Sequence, residues 1–253
     1  MPEINITPFE DISEVNLNDY TDESPLVIPD RPEGLFKKEG NIFEQMRNID
    51  LNHWESVLHN RLLSIQSNFG YAMFYYYKGI PDDEWYISPG NEGQSVQFFP
   101  HFEEKHYSNL YNFSFFADTF FLKAFTVFET IGHLLYKQYE IEVDESNFLD
   151  KVSFNNALHK MKNIDKSFSD DLFKVKGSDD FKKGVKMRND IAHNHPPYQV
   201  SSGITLGEKS ASYGVGEYTT SSEIKETMIG LMRSIQETME VLEKHLVSNQ
   251  VSN

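Results

Sequence analysis

The segment from residue 103 to 139, EEKHYSNLYNFSFFADTFFLKAFTVFETIGHLLYKQY, includes the most apolar part of the 253-residue chain. Its apolar side chains recur at three- and four-residue steps and cover more than one face, which predicts a long helix that is buried on several sides. Asp118 and Lys123 interrupt this apolar surface, and each needs a polar partner if it is buried. The segment therefore predicts the central helix of an all-α domain.

Further stretches of helical periodicity lie on both sides of this segment. Ser146 or Asn147 is a suitable N-cap for one of the flanking helices, with Phe148 facing inward. Another helix has a potential break at Gly177-Ser178, after which Asp179 suits a restart. The helices that we expect in addition to 103–139 cover residues 42–77, 146–163, 169–194 and 222–247. Together they predict a bundle of about five helices in a single domain over residues 41–253.

Three segments lack this periodicity. Residues 1–40 contain five prolines, which predicts an extended arm with room for a short helix near residues 8–14. Residues 82–100 carry Pro-Gly and Asn-Glu-Gly turn signals and predict a loop. Residues 196–221 are rich in Gly, Ser, Thr and Tyr, and they predict a long loop or a small hairpin.

The composition excludes several classes of protein. The chain has no cysteine, so disulfides and thiolate metal sites are excluded. Its first residues, Met1-Pro2-Glu3, do not resemble a signal peptide. The apolar run over residues 113–128 contains charges and is too short to span a bilayer. We therefore expect a cytoplasmic protein with no membrane segment.

Charge is distributed unevenly along the chain, whose formal net charge is −16. Residues 1–33 carry nine acidic side chains against one arginine, which is half of that negative charge. Residues 172–188 carry six cations against two carboxylates. A charge run is usually a solvated helix face, but this basic run leads directly into the one motif that points to chemistry.

That motif is Arg188-Asn189-Asp190-Ile191-Ala192-His193, followed by Asn194-His195-Pro196-Pro197. Arginine presents a permanently charged fork that fits phosphate, and histidine exchanges a proton near neutral pH. The pattern favours phosphodiester cleavage without a metal, because His193-x-His195 has no acidic partner at ligand spacing. The neighbouring cations predicted to bind the substrate are Lys183, Lys186 and His195.

The spacing of the motif restricts its geometry. Arg188 and His193 are five residues apart, which places them about 140° apart around an ideal helix. Asn189 and His193 are four residues apart and share a face. Three arrangements bring Arg188 and His193 together: a frayed helix end, a long reach by the arginine, or a second copy of the protein that completes the site.

This motif resembles that of the HEPN superfamily, in which an arginine, usually followed by a polar residue, precedes a histidine at the end of a helix. Arg188, Asn189 and His193 match it. The segments 118–125 (DTFFLKAF) and 129–136 (ETIGHLLY) also look like one bacterial branch of the superfamily. The resemblance covers about residues 42–247 in helix order.

The resemblance implies a homodimer whose paired motifs form one composite site, and an endoribonuclease that uses no cofactor. In this hypothesis His193 transfers protons, Arg188 neutralises charge on the phosphorane, and Asn189 orients the phosphate or the imidazole. The implied product is a 2′,3′-cyclic phosphate. The implied partners are RNA and, in a toxin–antitoxin or phage-defence setting, a neutralising protein.

Other interpretations stay open. Some members of the superfamily are inactive scaffolds, so the chain could be a non-catalytic module that binds a nucleotide, RNA or a protein, or a purely structural dimer. In the simplest structural interpretation, Arg188 pairs with acidic neighbours and His193 caps its helix. One toxin branch carries a nucleotidylated tyrosine two residues after the histidine. That position is His195 here, with Tyr198 the nearest tyrosine, which argues against this form of control.

Overall fold

The computed structural model describes residues 4–28, 35–37, 40–207 and 210–251. Six α-helices dominate this part of the chain: α1 (Ile42–Tyr77), α2 (Glu104–Gln138), α3 (Phe154–Met161), α4 (Lys166–Gly177), α5 (Asp179–His193) and α6 (Ser221–Val251). The prediction of an all-α fold is confirmed. The helix count differs from about five because residues 169–194 fall into two helices. Parts of the expected arm, residues 1–3, 29–34 and 38–39, lie outside the described residues.

The break between α4 and α5 is at Ser178, where the backbone becomes extended. The Ser178 hydroxyl accepts a hydrogen bond from the backbone N–H of Phe181 at 3.2 Å and so caps the start of α5. Asp179 and Asp180 occupy the first turn, where carboxylates interact favourably with the helix dipole. A helix capped in this way carries the Arg–His motif at its other end.

The predicted start of the third helix was wrong. The helix begins at Phe154, capped by the Ser153 hydroxyl, and Phe148 is 91% exposed instead of facing inward. The reason is local: the Asp144 carboxylate accepts bonds from the backbone and hydroxyl of Ser146. Such side-chain turns compete with helix formation, and they hold residues 144–150 outside the helix.

Two short antiparallel hairpins occupy the predicted loop regions. In the first, β1 (Tyr86–Ile87) pairs with β2 (Gln97–Phe98) inside the predicted loop 82–100. In the second, β3 (Ile204–Leu206) pairs with β4 (Ala211–Tyr213), with Ile204 opposite Tyr213. Of the two alternatives for residues 196–221, the small hairpin is therefore the one observed.

The chain divides into two compact units. The first consists of Met1–Glu23, Ser67–Phe121 and Gly184–Ile229. Its core includes the fully buried aromatic rings of Phe69, Phe113 and Phe120.

The second unit consists of Ser24–Gln66, Leu122–Lys183 and Gly230–Asn253. Its core is centred on Phe128, which packs against Phe154 and Phe181 at ring distances of 5.3 and 5.0 Å. The Arg–His motif belongs to the first unit.

The N-terminal arm packs within the first unit over residues 4–23. It contains two 3₁₀ helices, Ile12–Glu14 and Leu17–Glu23. The Asn112 side chain on α2 accepts from the Phe9 backbone N–H at 2.8 Å and donates to the Thr7 carbonyl at 3.1 Å. The Phe9 ring also packs on Phe115 at 5.0 Å. Side chains of α2 therefore satisfy backbone groups of the arm that no strand or helix satisfies.

Candidate functional site

The end of α5 is held by a hydrogen-bonded turn. The Asn194 backbone N–H donates to the Asp190 carbonyl at 3.1 Å, and its side-chain amide donates to the Asp190 carboxylate at 3.0 Å. Pro196 and Pro197 then prevent the helix from continuing. The helix is continuous as far as His193. His193 is therefore on the last turn of α5, directly before the Asn194 residue whose bonds to Asp190 hold the helix end.

The motif residues differ in exposure. Arg188 and Asn189 are half-buried, and the Arg188 guanidinium donates to the Asn189 side-chain oxygen at 3.0 Å. His193 and His195 are exposed, as are Lys183 and Lys186. The structure brings Arg188 and Asn189 together. Because α5 is unbroken, His193 stays about 140° from Arg188 around the helix.

A contact just beyond the motif was not predicted from the sequence. The Tyr198 hydroxyl donates to the Asp118 carboxylate of α2 at 2.5 Å. Burial raises the pKa of Asp118 from 3.8 to about 6, although the bond from Tyr198 acts in the opposite direction. Burial and the neighbouring carboxylate raise the pKa of Tyr198 as well. The need of Asp118 for a partner was visible in the sequence, but nothing there identified Tyr198.

A second tyrosine–aspartate pair lies at the other end of the segment that joins α5 to α6. The Tyr218 hydroxyl donates to the buried Asp82 at 2.7 Å. Backbone bonds join the two sides of this segment: the Ser201 N–H donates to the Glu217 carbonyl at 3.0 Å, and just outside the two tyrosines the Thr219 N–H donates to the Pro197 carbonyl at 2.8 Å. The segment that follows the motif is therefore a hairpin arm with both ends of its base fixed to the first unit.

The cations that pair with the N-terminal arm are not those of the basic run. Lys78, just after α1, pairs with Asp11 at 2.5 Å. Lys225 on α6 pairs with Glu23 at 2.6 Å. Both contacts lie in the first unit. Asp11 and Glu23 of the arm thus have partners outside the basic run, while Lys183 and Lys186 are exposed on α5.

Within the described residues, no three His, Asp or Glu side chains are grouped so that they could hold a metal ion. In the same part of the chain, no helix combines the length and apolar character needed to cross a bilayer.

Comparison with known proteins identifies a family. The model of the Cthe2314-like HEPN family matches residues 54–247, which is more than three quarters of the chain. No curated protein and no solved structure matches. The match spans most of α1, all of α2 to α5 and most of α6, and so includes the helix that carries the Arg–His motif. The chain belongs to the Cthe2314-like HEPN family.

Proposed function

We propose that the chain is a metal-independent endoribonuclease of HEPN type in which Arg188, Asn189 and His193 are catalytic. The arrangement at the end of α5 carries the proposal: His193 is exposed on the last turn, and the Arg188 guanidinium is held on Asn189 at 3.0 Å. An accessible imidazole can exchange a proton with the substrate. A guanidinium fits the oxygens of a phosphodiester.

In the proposed reaction, His193 accepts the proton of a ribose 2′-hydroxyl while the 2′-oxygen attacks the adjacent phosphorus. The bond from phosphorus to the 5′-oxygen breaks, and a protonated imidazole returns a proton to that oxygen. Arg188 stabilises the negative charge that develops on the non-bridging oxygens. The products are a 2′,3′-cyclic phosphate and a 5′-hydroxyl end, so the atoms balance without a further reactant.

A second copy of the chain completes the site in this proposal. The support is the geometry of α5, which is continuous to His193 and keeps Arg188 on another face. In a two-fold dimer each copy presents the same residues, so the arginine of one copy can act with the histidine of its partner. The exposed Lys183, Lys186 and His195 would contact the phosphates that flank the cleaved bond.

The test is RNA cleavage by purified protein in the presence of a chelator. We expect cleavage by the wild type, with a cyclic phosphate visible by ³¹P NMR. Arg188→Ala and His193→Ala should each lower the rate by about 10²- to 10⁴-fold. His53→Ala removes another exposed helical histidine, from α1, and serves as the matched control. Full activity in both motif variants would contradict the proposal.

A non-catalytic module is the second candidate, and the charge of the chain favours the form of it that binds a protein. A net charge of −16 opposes broad electrostatic attraction to RNA. Such a module would bind a nucleotide, RNA or a protein through the same end of α5. Binding of RNA that weakens in Lys183→Glu, with intact RNA recovered after long incubation, would support this candidate over the enzyme.

The biological setting that we propose for the enzyme is a toxin or a phage-defence protein with a neutralising protein partner. Free ribonuclease activity would then arrest the cell that makes it. Induced expression of the wild type should stop growth, and expression of His193→Ala to the same level should not. Equal growth in the two cultures would remove the toxin assignment without affecting the enzymatic one.

A further inference from the structure

The chain between the motif and Tyr198 has two points of attachment. On one side, the Asn194 side chain bonds to Asp190 at 3.0 Å. On the other, the Tyr198 hydroxyl bonds to Asp118 at 2.5 Å. The prolines at 196 and 197 have fixed φ angles, which removes much of the freedom of the residues between. His193 and His195 lie within or next to this short tethered segment.

Asp118 is a firm point of attachment because of where it is on α2. Its neighbours Ala117, Phe120 and Phe121 are at most 1% exposed, so this part of the helix belongs to the packed core of the first unit. The Oδ1 atom of Asp118 is buried and has no hydrogen-bond partner among the described residues. Its Oδ2 atom bonds to Tyr198, which is therefore the contact that compensates for burying this carboxylate.

We propose that Asp118 and Tyr198 are positioning residues for the His193 end of the motif. The inference rests on the proposed ribonuclease function. Neither side chain exchanges a proton with the substrate. Together they fix the segment after α5 to the core, so that the last helical turn does not fray and His193 keeps one orientation. A reacting group that is free to turn away loses rate, even when the substrate is bound as well as before.

Tyr198→Phe is the principal test because it removes one hydroxyl and keeps the ring. We expect kcat to fall by about tenfold or more while KM changes by less than about threefold, since the exposed lysines still bind RNA. Asp118→Asn keeps an oxygen that accepts from Tyr198, so its kcat should fall less than that of Asp118→Ala. Tyr213→Phe alters a tyrosine of the same arm that is 84% exposed, and it should match the wild type.

Hydrogen exchange tests the same inference without activity. Backbone amides of residues 191–202 should exchange at least about fivefold faster in Tyr198→Phe than in the wild type, and equally fast in Tyr213→Phe. If Tyr198→Phe does not fold, Asp118→Asn and Asp118→Ala provide the comparison. Unchanged exchange, or a kcat that is the same in all variants of an active enzyme, would overturn the inference.

The two failures are distinguishable. A wild type that does not cleave RNA contradicts the proposed function. The attachment of Tyr198 to Asp118 is then tested by hydrogen exchange alone. An active wild type that needs His193 but is indifferent to Tyr198→Phe contradicts only the positioning role.

Discussion

Asp118 is a carboxylate in the most apolar helix of the chain, and its surroundings determine its chemistry. Phe120 and Phe121 beside it are fully buried, and its hydrogen bond from Tyr198 is the compensation that the described residues provide. Burial disfavours the charged form and raises the pKa of Asp118 to about 6. The folded protein therefore holds this proton more tightly than the unfolded chain.

This difference predicts a dependence of stability on pH. Below pH 4 both states are protonated at Asp118, and above pH 6 both are ionised, so stability should fall as pH rises through this window. Asp118→Asn cannot ionise and should not show this fall. We expect the free energy of unfolding of the variant, relative to the wild type, to rise by about 2 kcal/mol between pH 4 and 7, after allowing for residual solvent screening.

Urea unfolding at several pH values checks the prediction. Subtracting the wild-type curve from that of the variant removes the titration of all other groups. A difference that stays constant from pH 4 to 7 would show that the pKa of Asp118 is not raised.

At the scale of elements, the start of α6 depends on a residue far away in the sequence. Asp82, in the segment after α1, accepts from the backbone N–H of Ser221 at 2.8 Å and from its hydroxyl at 2.7 Å. The Tyr218 hydroxyl is a third donor to the same carboxylate, at 2.7 Å. A fully buried acidic side chain thus binds the first residue of a helix to which it does not belong, beside the N-cap Thr220, whose hydroxyl accepts from the Glu223 backbone N–H at 3.3 Å.

Asp82→Asn should therefore be destabilising although it preserves shape. The amide has a single accepting oxygen, and its NH₂ group would face donors where the carboxylate accepted. We expect a loss of about 2–4 kcal/mol in the free energy of unfolding, measured by urea denaturation. The control is Asp83→Asn, whose exposed carboxylate accepts from Ser222 at 3.2 Å. Equal stability of the two variants would contradict this role of Asp82 at the start of α6.

At the scale of the whole molecule, the proposed site requires two copies of the chain. Arg188 and His193 are on different faces of one continuous helix, which removes a frayed helix end as the way to bring them together. In our proposal the second copy brings them together. The proposed dimer also brings together two chains that each have a net charge of −16. Its formation should therefore be favoured by added salt, which screens the repulsion.

A complementation experiment tests the shared site. Arg188→Ala and His193→Ala should each be inactive alone, and mixing them should restore part of the activity. Random exchange between equal amounts gives about half mixed dimers, in which one copy supplies the arginine and the other the histidine. Two samples of the same variant, mixed in the same way, are the control. No recovery despite proven subunit exchange would place both residues of the site on one copy.

Local patterns predicted the helices well. The periodicity of apolar side chains set the bounds of α1 and α2 to within a residue or two, because helical hydrogen bonds join residues only four apart. The start of α3 was missed because Asp144 forms a side-chain turn that the apolar pattern does not reveal. The separation of Arg188 and His193 followed from spacing alone, and α5 is continuous over both.

The sequence by itself determined the all-α class, the end of α5 at His193 and the likeness to HEPN proteins. Only the tertiary structure decided which side chains meet across long separations. Tyr198 reaches Asp118 across 80 positions, and Asp82 reaches Ser221 across 139. Helices form from contacts between near neighbours, whereas the partner of a buried carboxylate depends on how the whole chain packs. For this reason no sequence pattern predicted the contact between Tyr198 and Asp118.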